Sequence, residues 1–255
     1  MTSCDGYRGV SMKIIDAHCH IGQGCGYSLS ADELLAQMDA NGVSSAVIVP
    51  VDRCIAVDNV EGNNEMLAAA RANPERMMPF ATVNPWYGER AISELKRAFA
   101  EGAVGLKLHP VLQGFSIVDE IVYPVVEAAI EHRKPIYFHT GTPVNSTPFQ
   151  LSELAMKFPE GLFIMGHVAY ADYWNDVAAA VKCVPNIVIE TSLHLASFIK
   201  VLCDDLGADK LIYGSDAPKT SMSIEIDKIT RYVKSDTDLD MIFHANISRL
   251  LGGEG

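Results

Sequence analysis

Residues 13–20 read Lys13-Ile14-Ile15-Asp16-Ala17-His18-Cys19-His20, a short apolar run that ends in side chains able to bind a proton or a metal. Seven more short apolar runs follow, over 45–50, 79–84, 103–108, 136–139, 162–165, 187–190 and 211–214. They are rich in Val, Ile, Phe and Leu, and they are continuous rather than alternating. That is the pattern of strands buried on both faces.

Helical signals fill the gaps. Ser30-Ala31-Asp32-Glu33 is a capping box, with Gly42 as the stop. Apolar residues recur at helical spacing over 90–101 before Gly102. Thr147-Pro148 is an N-cap followed by proline at the first helical position. Val177 and Val181 sit on a fourth helix, 195–206 reads as a fifth before Gly207, and a helix over 239–251 closes the chain. Eight strand–helix repeats in 255 residues favour a single (β/α)8 TIM barrel over an open doubly wound sheet. Neither a G-x-G-x-x-G after the first strand nor a G-x-x-x-x-G-K-S/T occurs, so a nucleotide-binding open sheet lacks its main support. The expected organisation is a disordered tail over 1–11 and a barrel over 12–255, with Met12 a candidate start.

Composition narrows the function. Hydrophobic residues make up 49% and charged residues 20%, and the formal net charge is −12 with no Lys/Arg cluster. Nucleic acid and anionic membranes are poor partners for such a surface. No apolar run approaches the roughly 18 residues that span a bilayer. None of the six cysteines forms a C-x-x-C pair, which reads as free thiols in a reducing compartment and places the protein in the cytoplasm. The expected partners are a small-molecule substrate and, at most, further copies of the same chain.

Active sites of such barrels lie at the C-terminal strand ends. Strand 1 ends in His18 and His20, which share a face at period two, with Asp16 below them on the same face. Cys19 should point the opposite way. Strand 4 ends Lys107-Leu108-His109-Pro110. A lysine facing a barrel mouth demands pairing, modification or coordination, for example with Asp16. Strand 5 ends in His139, strand 6 in His167 and strand 8 in Ser215-Asp216-Ala217-Pro218. Five strand ends carrying His, Lys or Asp point to a metal site, because imidazole and carboxylate together suit zinc, manganese or iron. Arg53 after strand 2 is a candidate grip for a carboxylate. Trp86, Tyr87, Tyr170 and Trp174 are candidate pocket walls, His109 a substrate or structural residue, and His194 a possible border. His132 and His244 read as peripheral.

These motifs resemble the amidohydrolase superfamily, and within it the amidohydrolase-related branch, which also contains metal-dependent decarboxylases and lactonases. The resemblance rests on Asp16-Ala17-His18-Cys19-His20, Gly105-Leu106-Lys107-Leu108-His109-Pro110, His139-Thr140-Gly141, Gly166-His167, Glu190-Thr191-Ser192, Gly214-Ser215-Asp216-Ala217-Pro218 and Asn246-Ile247-Ser248-Arg249-Leu250-Leu251. It implies metal ligation by His18, His20, His139 and Asp216, and, where a second ion binds, by a carboxylated Lys107 and by His167. It implies one or two divalent ions, with zinc first and manganese or iron as alternatives. Ile21-Gly22-Gln23 stands where dihydroorotases carry an arginine, which argues against dihydroorotate. The expected activity is metal-dependent hydrolysis of an amide, ester or lactone bond in a small anionic metabolite. Asp216 would carry the proton, and His167 would hold a second ion or stabilise an oxyanion. Non-oxidative decarboxylation is the alternative, and a catalytically silent metal-binding barrel stands behind both.

Overall fold

Eight parallel strands pair in sequence order: β1 (Ile14–His20), β2 (Val43–Val49), β3 (Met77–Thr82), β4 (Gly105–Leu108), β5 (Ile136–His139), β6 (Phe163–Gly166), β7 (Ile187–Glu190) and β8 (Leu211–Ile212). The last returns to the first. Ala17 N donates to Tyr213 O at 2.9 Å, Asp216 N to His18 O at 2.8 Å, and His20 N to Ala217 O at 2.7 Å. The sheet thereby closes into the (β/α)8 barrel that the sequence predicts. The coordinates are a computed structural model and describe residues 12–182 and 184–253. The tail expected over 1–11 lies outside the described residues.

Alternation along the strands sorts the core into two shells. Ile15, Ala17, Val47, Phe80, Tyr137 and Ile164 pack inside the barrel. Leu106, Leu108, Phe138, Phe163 and Met165 face the helices. At three places a large side chain from an odd strand stands against a glycine in or just after an even one. A Cβ on Gly105 would overlap the Phe80 ring, one on Gly166 the Tyr137 ring, and one on Gly214 the Glu190 carboxylate. Contributions from alternate strands are how a barrel of this size becomes a packed core rather than a pore.

The helices begin and end where the chain supplies caps. Ser30 accepts from Glu33 N at 3.2 Å, and Glu33 accepts from Ser30 N at 2.8 Å. Gly42, at φ 69°, stops the helix Ala31–Asn41. Thr147 and Gln150 form the same reciprocal cap on Pro148–Lys157. The closing helix departs from expectation. It runs as Asp236–Asp240, a π-helical turn Met241–Ala245, and Asn246–Leu250. Ile242 O accepts from Tyr213 N at 2.9 Å, and Asn246 Nδ2 donates to Ala208 O and Leu211 O, both at 2.8 Å. Bonds to β8 and its approach thus compete with the helix's own ladder, a recognised origin of π turns. No helix among the described residues is long and apolar enough to cross a membrane.

Replacing Gly105 with Ala should cost about 1–3 kcal/mol of stability through overpacking against Phe80. Urea unfolding measures it, and an unchanged midpoint would show that the interior is not layered in this way.

Candidate metal centre

β1 carries one residue more than β2 between the pairs Asp16–Ala46 and Cys19–Ile48. This bulge breaks simple alternation. Ile15 and Ala17 point into the barrel and Cys19 points out among Leu34 and Met38. Asp16, between two inward residues, faces outward. The sequence expectation that it lies below His18 and His20, within reach of Lys107, is therefore corrected. Asp16 instead accepts His18 N at 3.0 Å and Ser215 N at 2.9 Å through Oδ1, strapping β1 to the loop after β8. Burial pushes its carboxyl up to about 6.

His18, His20 and Asp216 come together, all buried, with one ligand atom from each within 4.8 Å of the others. Asp216 Oδ1 lies 3.2 Å from both His18 Nε2 and His20 Nε2. His20 Nδ1 faces Pro50 O at 2.8 Å. A carbonyl only accepts, so Nδ1 is assigned the proton and Nε2 the lone pair. That lone pair points at a carboxylate oxygen. Neither Asp216 oxygen has a hydrogen-bond donor among the described residues. Buried acceptors facing one another without a proton between them are costly, and a cation is the group that satisfies them. The donor set fits a divalent metal. Burial raises the Asp216 carboxyl, and positive charge or a proton at His18 and His20 lowers it well below the usual carboxylate range, the place a bound cation would take. Burial keeps His18 well below its ordinary value.

A polar chain lies beside this cluster. Lys107 Nζ is 3.3 Å from His18 Nε2 and 3.7 Å above the Tyr137 ring, and burial drives its pKa far down. Tyr137 OH donates to Glu190 Oε2 at 2.6 Å. The same oxygen accepts from Ser192 Oγ at 2.9 Å and from His167 N at 3.1 Å. Ser192 thus directs its one hydrogen to Glu190, so its oxygen accepts from His167 Nδ1 at 2.8 Å. This assigns the free lone pair of His167 to Nε2. Burial holds the ring down at about 3, and it is neutral at physiological pH. His167 is therefore an acceptor at Nε2, which argues against the oxyanion-donor role considered from the sequence. Glu190 itself is pushed by burial up to about 7, against its donors.

After His167 the backbone is strained. His167, Val168, Ala169 and Tyr170 have φ of 61°, 49°, 56° and 52°, and Asp216 has 53°. Left-handed conformation costs roughly 1–2 kcal/mol per non-glycine residue, and such strain gathers at functional sites. Gly141 makes the turn possible, since a Cβ there would overlap the Ala169 backbone. The turn brings Tyr170 within 5.2 Å of His167 and 5.6 Å of His139, between ring centroids. His139 does not join the three clustered residues. It stacks on His109 at 3.8 Å, with His167 4.7 Å away.

Other candidates lie apart. The Arg53 side chain is 75% exposed and its guanidinium pairs with Asp58 at 2.5 Å. Trp86 is exposed and its indole N–H donates to Gly114 O at 2.9 Å. Trp174 packs edge-on against Phe198, and Tyr87 OH donates to Val57 O. His194 lies against Phe198. Sequence reasoning gave no role to Tyr137, Glu190, Ser192 or Lys219. The acid that ends the apolar run of β7 was the available signal for Glu190.

A closed (β/α)8 barrel with two histidines and an aspartate joined across the ends of its first and last strands defines a class of metallo-enzyme scaffold. The sequence profile of the amidohydrolase family matches residues 15–253, and the chain belongs to that family of metal-dependent enzymes. Solved structures share the fold at low identity. A 2,6-dihydroxybenzoate decarboxylase from Rhizobium is 17% identical, with TM-score 0.74 over 94% of this chain and 99% of that one. A 5-carboxyvanillate decarboxylase from Novosphingobium aromaticivorans, complexed with manganese and 4-hydroxy-3-methoxy-5-nitrobenzoic acid, is 18% identical, with TM-score 0.71 over 86% and 79%. The 4-oxalomesaconate hydratase of Rhodopseudomonas palustris is 17% identical, with TM-score 0.70 over 94% and 96%. No curated protein matches the chain.

The buried imidazoles set a pH dependence. His18, His20, His109, His139, His167 and His194 all have folded pKa values below 6.5, chiefly through burial. They take up protons on unfolding, so stability is lost as pH falls below about 6.5. Asp16 at about 6 and Glu190 at about 7 hold protons when folded and act the opposite way, as do Glu65 and Glu225. The imidazoles outnumber them. In chelator-treated protein the urea midpoint should fall between pH 6.5 and 4.5, and a rise would contradict this balance.

Proposed function

We propose that the chain is a metal-dependent hydrolase that cleaves an amide, ester or lactone bond of a small anionic metabolite. The observation that carries this reading is the buried Asp216 carboxylate, 3.2 Å from two imidazole nitrogens and without a hydrogen-bond donor among the described residues. His18, His20 and Asp216 would hold the cation, with His139 as a further ligand from β5. Zinc suits the donors, with manganese or iron as alternatives. A bound divalent ion supplies Lewis acidity and lowers the pKa of water from 15.7 toward about 7.

The chain's own groups supply the proton chemistry. Asp216 is held as a carboxylate and accepts the proton of the attacking water at one oxygen, then returns it to the leaving group. His167 offers the Nε2 lone pair, held in place by Ser192 and Glu190. It serves as a second acceptor, or as a ligand if a second ion binds. The neutral form favoured at buried Lys107 suits carboxylation, through which Lys107 would help to hold a second ion. Tyr170 and His109 border the substrate through their packing on His139 and His167. We place the protein in the cytoplasm.

The second reading is non-oxidative decarboxylation, favoured by the decarboxylases among the structural neighbours. In that reaction carbon dioxide leaves and a proton takes its place on carbon, so the site must begin with a proton donor. Asp216 as carboxylate and His167 with a free lone pair are both acceptors, which is why hydrolysis leads. Carbon dioxide release from aromatic acids, set against turnover of an ester, lactone and amide panel, separates the two.

Asp216→Asn should keep partial metal binding, because its carbonyl oxygen still faces His18 and His20. It should lose about 10²–10⁴-fold in kcat, because an amide cannot take the proton. The variant is assayed after saturation with metal. Retention of more than about a tenth of wild-type kcat, less than the smallest such loss, would leave Asp216 as a ligand only and transfer the proton to His167.

A further inference from the structure

We infer that Lys219, in the loop after β8, is the residue that grips a carboxylate of the substrate at the mouth of the metal centre. The inference rests on the metal-dependent reading of His18, His20 and Asp216 and names the chemistry of what that site accepts. A tight turn, with Lys219 N donating to Asp216 O at 2.9 Å, sends the side chain back over the site. Its ammonium stands 4.0 Å from Asp216 Oδ2 and 5.5 Å from the centre of the Tyr27 ring, and the side chain is 32% exposed. At 4.0 Å the ammonium and carboxylate attract but do not hydrogen-bond. Asp52, the other acid nearby, is already engaged, with Oδ2 accepting from Cys25 N at 2.6 Å and Oδ1 from Tyr27 OH at 2.8 Å. The Lys219 ammonium therefore reaches the centre with its donors uncommitted.

The remaining cations do not meet these conditions. Lys107 is fully buried beneath His18 and over Tyr137, out of contact with solvent. Arg53, the grip expected from the sequence, has its guanidinium on Asp58 and its side chain in water. Among the described residues, Lys219 is the cation that both neighbours Asp216 and opens to solvent. An ammonium in that position makes a charge-assisted hydrogen bond to an incoming carboxylate, stronger than one to a neutral amide of the same shape. Its flexible stem adapts to the carboxylate of a mono- or dicarboxylate without requiring bidentate geometry. Substrates bearing a carboxylate close to the scissile bond are thereby selected over their neutral counterparts.

The test is calorimetric titration of zinc-loaded protein with acetate, benzoate and glutarate, each against its amide, in wild type, Lys219→Met and Lys219→Arg. Metal content is measured on every sample. Wild type should bind at least one carboxylate more tightly than its amide. Lys219→Met should weaken that carboxylate by about tenfold, the scale of one charge-assisted hydrogen bond, and leave the amide and the zinc content unchanged. Lys219→Arg should restore most of the carboxylate affinity. A wild type without carboxylate preference, or a Lys219→Met that binds carboxylates as wild type does or weakens carboxylate and amide alike, overturns the inference. So does a Lys219→Met that loses zinc, since Lys219 would then serve Asp216 rather than the substrate. A wild type that holds no zinc overturns the metal-dependent reading and this inference with it, whereas zinc-loaded wild type with an indifferent Lys219 overturns this inference alone.

Discussion

The seam between β1 and β8 is the contact on which the rest of the molecule depends. Three backbone hydrogen bonds, Ala17 to Tyr213, Asp216 to His18 and His20 to Ala217, close the barrel there. The same bonds set the spacing of His18, His20 and Asp216, because two of them involve those residues directly. Asp16 reinforces the seam from outside by accepting both His18 N and Ser215 N. Closure and function are thus one geometry. A cation held by these three side chains would tie the first strand to the last, and its binding free energy would add to the stability of the closed barrel.

The cost of the arrangement is electrostatic. Asp216, Lys107, Glu190 and four imidazoles are gathered in an interior that water scarcely reaches. Burial answers part of this by holding the imidazoles neutral and by depressing Lys107. Hydrogen bonding answers another part, with Glu190 accepting hydrogen bonds from Tyr137, Ser192 and the backbone of His167. What remains uncompensated is Asp216, whose two oxygens lack donors among the described residues. An uncompensated buried carboxylate facing the His20 lone pair is unfavourable in any role except cation binding or proton transfer. The left-handed run from His167 to Tyr170 belongs to the same pattern of local cost gathered at the strand ends.

Much of this was legible in the chain itself. Continuous apolar runs marked all eight strands, because strands buried on both faces cannot tolerate polar alternation, and Ser30, Gly42 and Thr147 marked helix ends through their own side chains. The His18, His20 and Asp216 positions followed from strand-end placement. The bulge in β1 was not legible. It arises from pairing with β2 and turns Asp16 outward against the period-two expectation. The π turn at 241–245 likewise depends on bonds to Tyr213 that no local pattern encodes. Arg53 and Lys219 look alike in sequence, as single cations after a strand. Only the fold shows Arg53 engaged by Asp58 and Lys219 turned toward Asp216.

The central claim is that one cation is shared by the side chains at the β1–β8 seam. An anomalous difference map at the zinc edge, from crystals grown with zinc and without chelator, tests it most directly. The account predicts a strong peak in contact with His18 Nε2, His20 Nε2 and the Asp216 carboxylate. A map with no peak between those three residues, or with zinc bound only elsewhere on the protein, would contradict it.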